Sequence, residues 1–390
     1  MKSLLRTSFN RDPVAAGWDS SGSYPPGGTG FDGEWSPAGA GARRACLRVR
    51  KGLWQSPPLP VVPFRYYRLR FAAQSTQGGA YAFSFLDGQG RLIASDEYNT
   101  FEASNGLRTH DVFTQAREDA VSMRVAFVAN GGELRIGAAA VSEASADDVL
   151  AWSDRLYARL PPVRVDTKPG QFRHLAGPIR KLRCGGALRV LVLGDSIAND
   201  QGNSQFPLLI QRLYPGSEII FLRSVRAATG CTYYRRHVRR YVTAKAPDLV
   251  VIAGISHRCD AEAVRHVVEQ TRHQMSRAVA FLVLTGAIMQ PGHRGQKAGG
   301  GRVLSAVERC RRAFEAERRF YAKLELMSRD LRIATLDMRS AWEDYLAGCG
   351  RPRAWYQRDP IHANARGKQI LGRIVEQCFW TNRRASHDRS

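Results

Sequence analysis

The pattern of hydrophobic and polar positions changes near the middle of the chain. In the first part, short alternating or aromatic-rich runs are separated by Gly, Pro, Asn and Asp, which is typical of strands joined by tight turns. We predict strands at 64–73, 80–87, 91–95, 122–129 and 133–141. Several short strands with this punctuation indicate an all-β sandwich.

Two stretches lack such a pattern. Gly, Pro and Ser dominate residues 17–39, so we expect a long loop there in place of a regular element. Residues 146–160 have helical spacing, and the Pro- and Gly-containing segment 161–186 predicts an irregular connector. The sandwich is therefore assigned to 1–145 and a helical or irregular linker to 146–186.

From residue 187 onward, continuous apolar runs alternate with amphipathic stretches. This alternation is typical of a parallel sheet whose two faces are covered by helices. The predicted strands are 188–193, 218–223, 248–253, 279–285 and 332–337, and the predicted helices are 203–214, 260–276, 303–329 and 364–380. We expect an α/β domain at 187–382, a flexible loop at 291–302 that could act as a lid, and a basic tail at 383–390.

Composition adds few constraints on class. The 390 residues are 44% hydrophobic and 24% charged, which is ordinary for a globular protein. No apolar run reaches the ~18–20 residues of a membrane span, and the apolar stretch at the start is too short for a signal peptide. We therefore expect a cytoplasmic protein by default, or a secreted one if the true start lies upstream. The cysteines form no CxxC pair, so reduced thiols are expected and a zinc site is not.

The charge is strongly positive and uneven. The net charge is +23, and nearly all of the excess lies in residues 151–390. One interpretation is a surface that binds polyanions, and the other is an arginine-rich solvated surface. The segment "YYRRHVRRYV" (233–242) leaves the same choice open, between contact with an acidic substrate and a solvated face. Because no nucleic-acid-binding motif accompanies the charge, a nucleic-acid partner is not expected.

The candidate chemistry begins at the end of one predicted strand. The run "RVLVLGDSIANDQG" stops being apolar at Gly194, Asp195 and Ser196. In open α/β sheets, ligands bind beyond the carboxyl ends of the strands. Ser196 is therefore either a nucleophile or the cap of the following helix.

A second motif favours the nucleophile. In "WYQRDPIHANARGKQIL", Asp359 precedes His362 by three residues, and Pro360 keeps Asp359 out of a helix. A serine hydroxyl needs a base to accept its proton, and that base needs an acceptor that fixes its tautomer. One turn carrying Asp359 and His362 can supply both.

These motifs resemble those of the SGNH/GDSL hydrolase family of esterases and lipases, over residues 186–382. The resemblance implies a three-layer α/β/α fold like that of flavodoxin, with Ser196, His362 and Asp359 as a catalytic triad and no metal or organic cofactor. It also implies that the N–H groups of Ser196 and Gly230 stabilise the oxyanion. We further expect Asp195 and Gly254 to contact substrate.

The third motif departs from the family pattern. Where the family has Gly-x-Asn-Asp, the chain has "GISH", so Ser256 replaces the oxyanion-binding Asn and His257 follows it. Position 256 matches directly, and His257 is the alternative donor. Asn199 and Asn203 either orient substrate or are surface amides.

The first domain resembles the jelly-roll carbohydrate-binding modules attached to polysaccharide-active enzymes. Tyr24, Trp35 and Trp54 either stack on sugar rings or belong to the core. The sequence thus predicts a serine esterase acting on an acylated carbohydrate, with an acetyl ester on a glycan as the leading substrate. Two alternatives remain, a lipase or general acyl esterase and a non-catalytic protein that binds glycans or polyanions.

Overall fold

The computed structural model describes residues 2–20, 31–37, 45–93, 97–129, 131–286 and 305–387. The chain divides into two compact units, Met1–Trp152 and Ser153–Ser390. This division lies inside the segment 146–186. The first unit contains antiparallel sheets and the second a parallel sheet, so the expected order of a β-rich part and an α/β part is confirmed.

The first unit is built from two antiparallel sheets. One sheet has the order β2-β3-β11-β6-β9, with β1 also paired to β11, and the other has the order β4-β10-β7-β8, with β5 also paired to β10. The strands are β1 Ser3–Thr7, β2 Asp32–Ser36, β3 Cys46–Lys51, β4 Leu53–Gln55, β5 Leu59–Pro60, β6 Tyr66–Ser75, β7 Gly79–Leu86, β8 Glu97–Phe101, β9 Ser104–Gln115, β10 Ser122–Ala129 and β11 Leu134–Ala144.

Two expectations for this unit are wrong in detail. Strand β2 lies inside the stretch 17–39, because its pairing with β3 and the packing of Trp35 against the core outweigh the local composition. Within the described part of 91–95 there is no strand, and Leu92 forms only an isolated bridge with Leu86. Tyr24 lies outside the described residues.

The second unit holds a five-stranded parallel sheet of order β13-β12-β14-β15-β16. Its strands are β12 Ala187–Gly194, β13 Glu218–Val225, β14 Leu249–Ala253, β15 Ala280–Leu284 and β16 Ala334–Leu336. The helices, counting one that crosses the division, are α1 Ala146–Tyr157, α2 Ala176–Arg183, α3 Ser196–Gly202, α4 Phe206–Leu213, α5 Cys231–Tyr234, α6 Val238–Tyr241, α7 Ala261–Gln274, α8 Ala306–Asp330, α9 Met338–Gly348 and α10 Ala365–His387.

Helices cover both faces of this sheet. Alternate residues of β12 enter two different hydrophobic clusters, because successive side chains of a strand point to opposite faces. Val190 and Val192 pack with residues of α2, α4, α9 and α10, whereas Leu191 and Leu193 pack with residues of α5, α7 and α8. Burial on both faces explains why the sequence of β12 shows no polar alternation.

The connector at 161–186 is not irregular throughout. Helix α2 forms there, because Pro178, Ile179 and Leu182 bury one side of it against the sheet. The loop predicted at 291–302 lies outside the described residues, and α10 continues through 383–387 of the expected tail. None of the helices within the described ranges is long and apolar enough to cross a membrane. The cysteines whose side chains are described are all free.

Candidate active site

Ser196 lies at the junction of β12 and α3, at the carboxyl edge of the sheet. Asp195 is the N-cap of α3, and its Oδ1 accepts hydrogen bonds from the N–H groups of Ile197 at 2.9 Å and Ala198 at 3.3 Å. A Cβ atom on Gly194 would lie 1.9 Å from the carbonyl oxygen of Ala253. Only glycine therefore allows β12 and β14 to approach so closely beneath Ser196.

His362 and Asp359 lie on the turn before α10 and face Ser196. The Nε2 atom of His362 is 2.9 Å from Oγ of Ser196, and its Nδ1 is 2.8 Å from Oδ2 of Asp359. Since a carboxylate accepts hydrogen bonds, Nδ1 carries a proton and the lone pair of neutral His362 faces the serine hydroxyl. The Nε2 atom of His362 can therefore accept the proton of the Ser196 hydroxyl, while Asp359 holds the imidazole ring in this orientation.

The turn itself orients the carboxylate. Oδ1 of Asp359 accepts hydrogen bonds from the N–H groups of Ile361 and His362, each at 2.9 Å. Burial raises the pKa of Asp359, but the hydrogen bond and charge of His362 lower it by more, to about 2. Asp359 is therefore ionised at neutral pH, as an acceptor for Nδ1 must be.

Asp200 joins helix α3, which begins at Ser196, to the turn that carries Asp359 and His362, and the sequence analysis missed it. Its carboxylate is 2% exposed and lies 2.9 and 3.0 Å from Nη1 of Arg358. It also accepts the N–H of Ala363 at 3.0 Å and lies 3.4 Å from Nζ of Lys368. The available signal was an acid one helical turn after Ser196, on the same face of α3.

Asp195 and Gly254, predicted as substrate contacts, connect two loops. Oδ2 of Asp195 accepts the N–H groups of Ile255 at 2.9 Å and Ser256 at 2.7 Å. Asp195 is 1% exposed, and its carboxylate serves four backbone donors in all. Gly254 has φ +109°, and a Cβ there would lie 2.2 Å from Oδ1 of Asp195. Both residues therefore fix the loop after β14 against the start of α3.

Gly230 brings the loop after β13 against the same loop. A Cβ on Gly230 would lie 2.2 Å from the carbonyl oxygen of Ser256 and 2.7 Å from the nitrogen of His257. The predicted oxyanion residues Gly230 and Ser256 are thus brought into backbone contact. The strand order β13-β12-β14 explains this, because it places the three loops side by side at one edge.

His257, the alternative oxyanion donor, uses both ring nitrogens internally. Its Nε2 donates to the carbonyl oxygen of Ala253 at 2.9 Å, and its Nδ1 accepts the N–H of Cys231 at 3.2 Å. Burial lowers the pKa of His257, against the opposing influence of Asp195, so the ring is neutral. Donation to a substrate oxygen would require breaking one of these bonds, which argues against this alternative.

Three donors remain for a negative charge beside Ser196. Within the described part of the chain, the N–H groups of Ser196 and Gly230 and the hydroxyl of Ser256 have no hydrogen-bond acceptor, whereas their neighbours Ile197, Ala198 and Ile255 are bound by Asp195. Among the described residues, no group of three or more His, Cys, Asp or Glu is arranged to hold a metal ion.

The remaining candidates belong to the packing. Asn199 is 5% exposed, and Oδ1 of Asn203 accepts a hydrogen bond from Arg223 at 3.3 Å, so neither is a plain surface amide. In the first unit, Trp54 is buried and donates to the carbonyl oxygen of Arg48 at 3.2 Å. Trp35 donates to the carbonyl oxygen of Phe9 at 2.8 Å and packs on the core. These contacts favour the core interpretation of both tryptophans.

No family model matches the chain, and no curated protein matches it. Among solved structures, the chain is similar to a two-domain esterase (CEX) active on acetylated mannans, with 14% identity over 53% of this chain and 52% of that one and a TM-score of 0.39. It is also similar to Axe2, an acetylxylan esterase from Geobacillus stearothermophilus, with 16% identity over 49% and 94% of the two chains and a TM-score of 0.38.

A third similarity is to the enzymatically active domain of tailspike protein 4 of bacteriophage CBA120, with 17% identity over 30% of this chain and 18% of that one and a TM-score of 0.26. The chain thus spans well under two thirds of the mannan esterase and of the tailspike protein.

Proposed function

We propose that this protein is a serine esterase that acts through an acyl-enzyme intermediate. The observation that carries the proposal is the continuous hydrogen-bonded series from Ser196 through His362 to Asp359. A helix cap alone would not require an imidazole lone pair at the serine hydroxyl. The buried ion pair between Asp200 and Arg358 links the helix that begins at Ser196 to the turn that carries Asp359 and His362. This link further supports the proposal, because it holds the three side chains in reach of one another.

The reaction then has two halves. Oγ of Ser196 attacks the ester carbonyl while Nε2 of His362 takes its proton, and the carbonyl oxygen becomes an oxyanion. Collapse of this intermediate breaks the bond to the alcohol, which leaves with the proton from His362, and the acyl group stays on Ser196. Water then attacks the acyl-enzyme by the same steps and releases the acid. Asp359 keeps the tautomer of His362 and stabilises its charged form.

The oxyanion is stabilised by the N–H groups of Ser196 and Gly230, with the hydroxyl of Ser256 as third donor. Removing one such donor typically lowers the rate by about 10²–10³. Asp195 and Gly254 act on this site indirectly, by fixing the loop that presents Ser256, and we propose this scaffold role in place of substrate contact.

The strand order of the second unit, with β12 between β13 and β14, supports an SGNH/GDSL-type domain of flavodoxin-like layering at 187–382. The antiparallel sheets at 1–145 support a jelly-roll-like module. On this basis we propose that the substrate is a short-chain, acetyl-type ester on a carbohydrate. A lipase or general acyl esterase, with the sandwich as a packing partner only, is the second candidate.

A panel of p-nitrophenyl esters from acetyl to long chain tests this function, with the wild type and Ser196→Ala compared on each ester. We expect the wild type to hydrolyse acetyl esters faster than octanoyl or longer ones. A clear preference for long chains would favour the lipase. If the wild type hydrolyses none of the esters, the remaining alternative is a non-catalytic protein that binds glycans or polyanions.

A further inference from the structure

The connection that follows β13 concentrates positive charge beside Ser196. Residues 219–247 contain no Asp or Glu, but they contain Arg223, Arg226, Arg235, Arg236, Arg239, Arg240 and Lys245. We use the name arginine cluster for Arg226, Arg235, Arg236, Arg239 and Arg240. Four of them are exposed and Arg235 is half-buried.

This cluster begins at the candidate site. Arg226 directly follows β13, and its N–H donates to the carbonyl oxygen of Gly194 at 3.0 Å, two residues before Ser196. The same connection carries Gly230 and then α5 and α6, on which the other arginines lie or between which they fall. The hydroxyl of Tyr234 in α5 also donates to Gly194, at 2.7 Å. The cluster is therefore tied to the strand end that presents the nucleophile.

Within the described part of the chain, no carboxylate neutralises the charge of the cluster. No acidic partner is found within the described residues for any of its five arginines, whereas arginines such as Arg48, Arg68 and Arg358 are paired with carboxylates. Several unpaired cations on one surface produce a local positive potential that attracts anions. Residues 226–240 contain five arginines and no Asp or Glu, so the excess of arginine is local to this connection.

Aromatic side chains hold two of these guanidinium groups in place. Arg226 lies 5.1 Å from the ring centroid of Tyr233 and donates to the hydroxyl of Tyr241 at 3.1 Å, and Arg240 lies 5.4 Å from the ring of Tyr241. Burial raises the pKa of Tyr241, but the hydrogen bond with Tyr233 and the charge of Arg226 lower it by more. Guanidinium groups held in advance lose less conformational entropy when they bind.

We propose that the arginine cluster binds carboxylate groups of the substrate, so that the ester is cleaved from an acidic, uronate-type glycan. This inference rests on the proposed esterase function. The guanidinium fork matches a carboxylate in two parallel hydrogen bonds, and each bond is charge-assisted. An acidic sugar bound by Arg226 would have its neighbouring acyl group at the edge where Ser196 lies. Nucleic acid fits less well, because binding of single strands relies on aromatic rings open for stacking, and Arg226 and Arg240 cover these rings.

The test is binding of the full-length chain to polygalacturonate and to neutral galactan at physiological salt. The double variant Arg226→Gln/Arg240→Gln is compared with the control variant Arg155→Gln/Arg180→Gln. Arg155 of α1 and Arg180 of α2 are exposed and also lack an acidic partner among the described residues. Both double variants change the net charge equally. We expect the cluster variant to bind polygalacturonate at least about tenfold more weakly and the control variant to bind within about twofold of the wild type.

Three outcomes would overturn the inference. The first is equal binding of polygalacturonate and galactan by the wild type, and the second is equally weakened binding in the two double variants. The third is that the wild type binds DNA more tightly than polygalacturonate and that the cluster variant loses binding to both polymers. Polygalacturonate without ester groups is not a substrate for hydrolysis, so its binding can be measured independently of esterase activity. Hydrolysis of p-nitrophenyl acetate is measured separately. A failure of this inference and a failure of the esterase function are therefore distinguishable.

Discussion

The guanidinium of Arg358 and the carboxylate of Asp200 form a buried ion pair, with Nη1 2.9 Å from one carboxylate oxygen and 3.0 Å from the other. Asp200 lies on the helix that begins with Ser196, and Arg358 directly precedes Asp359 in the chain. The pair therefore joins Ser196 to His362 and Asp359, which come from a distant part of the sequence. We propose that Arg358 and Asp200 are positioning residues for the triad.

Replacing Arg358 with lysine keeps the charge but loses the planar group that spans Asp200 and the carbonyl oxygen of Ala363. We expect kcat to fall at least about tenfold with little change in KM, because small displacements of catalytic groups are costly in the transition state. Steady-state kinetics on p-nitrophenyl acetate measure this effect. The pH profile of kcat should also shift, since the altered turn carries Asp359 and His362.

Arg353→Lys is the matched control for this prediction. Arg353 lies just upstream and pairs with Glu343, away from Asp200. We expect near wild-type kcat and an unchanged pH profile for this variant. Equal losses of kcat in the two variants would mean that Arg358 only stabilises the fold.

Ser256→Ala tests the third oxyanion donor. Loss of a hydrogen bond made mainly in the transition state should lower kcat at least about tenfold and leave KM nearly unchanged. The midpoint of thermal unfolding should not change, because the hydroxyl has no acceptor within the described part of the chain. An unchanged kcat would leave the oxyanion to the backbone N–H groups of Ser196 and Gly230.

His257→Gln should act on stability and its pH dependence. Removing the buried bonds to Ala253 and Cys231 is expected to cost about 1–3 kcal/mol of unfolding free energy. Burial lowers the pKa of His257 below its ordinary 6.5, although Asp195 and Asp260 oppose this shift. As the pH falls, His257 therefore takes up a proton in the unfolded state before it does so in the folded state. The wild type should lose stability as the pH falls below 6.5.

Denaturant titrations of the wild type and His257→Gln between pH 7.5 and 5 measure this effect. The part of the acid destabilisation that is due to His257 should be missing in the variant. Parallel stability curves with the same pH dependence would contradict a buried neutral His257. A lower kcat at unchanged stability would instead return His257 to the role of oxyanion donor.

The pattern of apolar and polar residues within a single segment was enough to predict several strands and helices. The apolar runs of β12, β13 and β14 and the spacing of α7 are present in the sequence, and each of these elements lies within about two residues of its predicted bounds. Helix α10 begins one residue after its predicted start but continues to His387, seven residues beyond its predicted end. Ser196, Asp359 and His362 could be proposed as a triad from the sequence because Gly194 and Pro360 lie within two residues of them and give strong local signals.

What the sequence could not provide depends on contacts between distant segments. Asp200 and Arg358 are 158 residues apart, and nothing in either neighbourhood indicates a partner. The same reason left Ser256 and His257 as alternatives, because the hydrogen bonds of the His257 ring to Ala253 and Cys231 are visible only in the folded chain. Strand β2 was missed because its pairing with β3, and not its own composition, stabilises it.

The most direct test of the central claim is the site of covalent labelling by an organophosphate that reacts with activated serines. After reaction of the full-length chain, mass spectrometry of its peptides locates the adduct. Our account predicts one adduct, on Ser196, which forms much more slowly in His362→Ala because the hydroxyl loses its base. Labelling of a different residue, or unlabelled Ser196 after prolonged reaction, would contradict the assignment of Ser196 as the nucleophile.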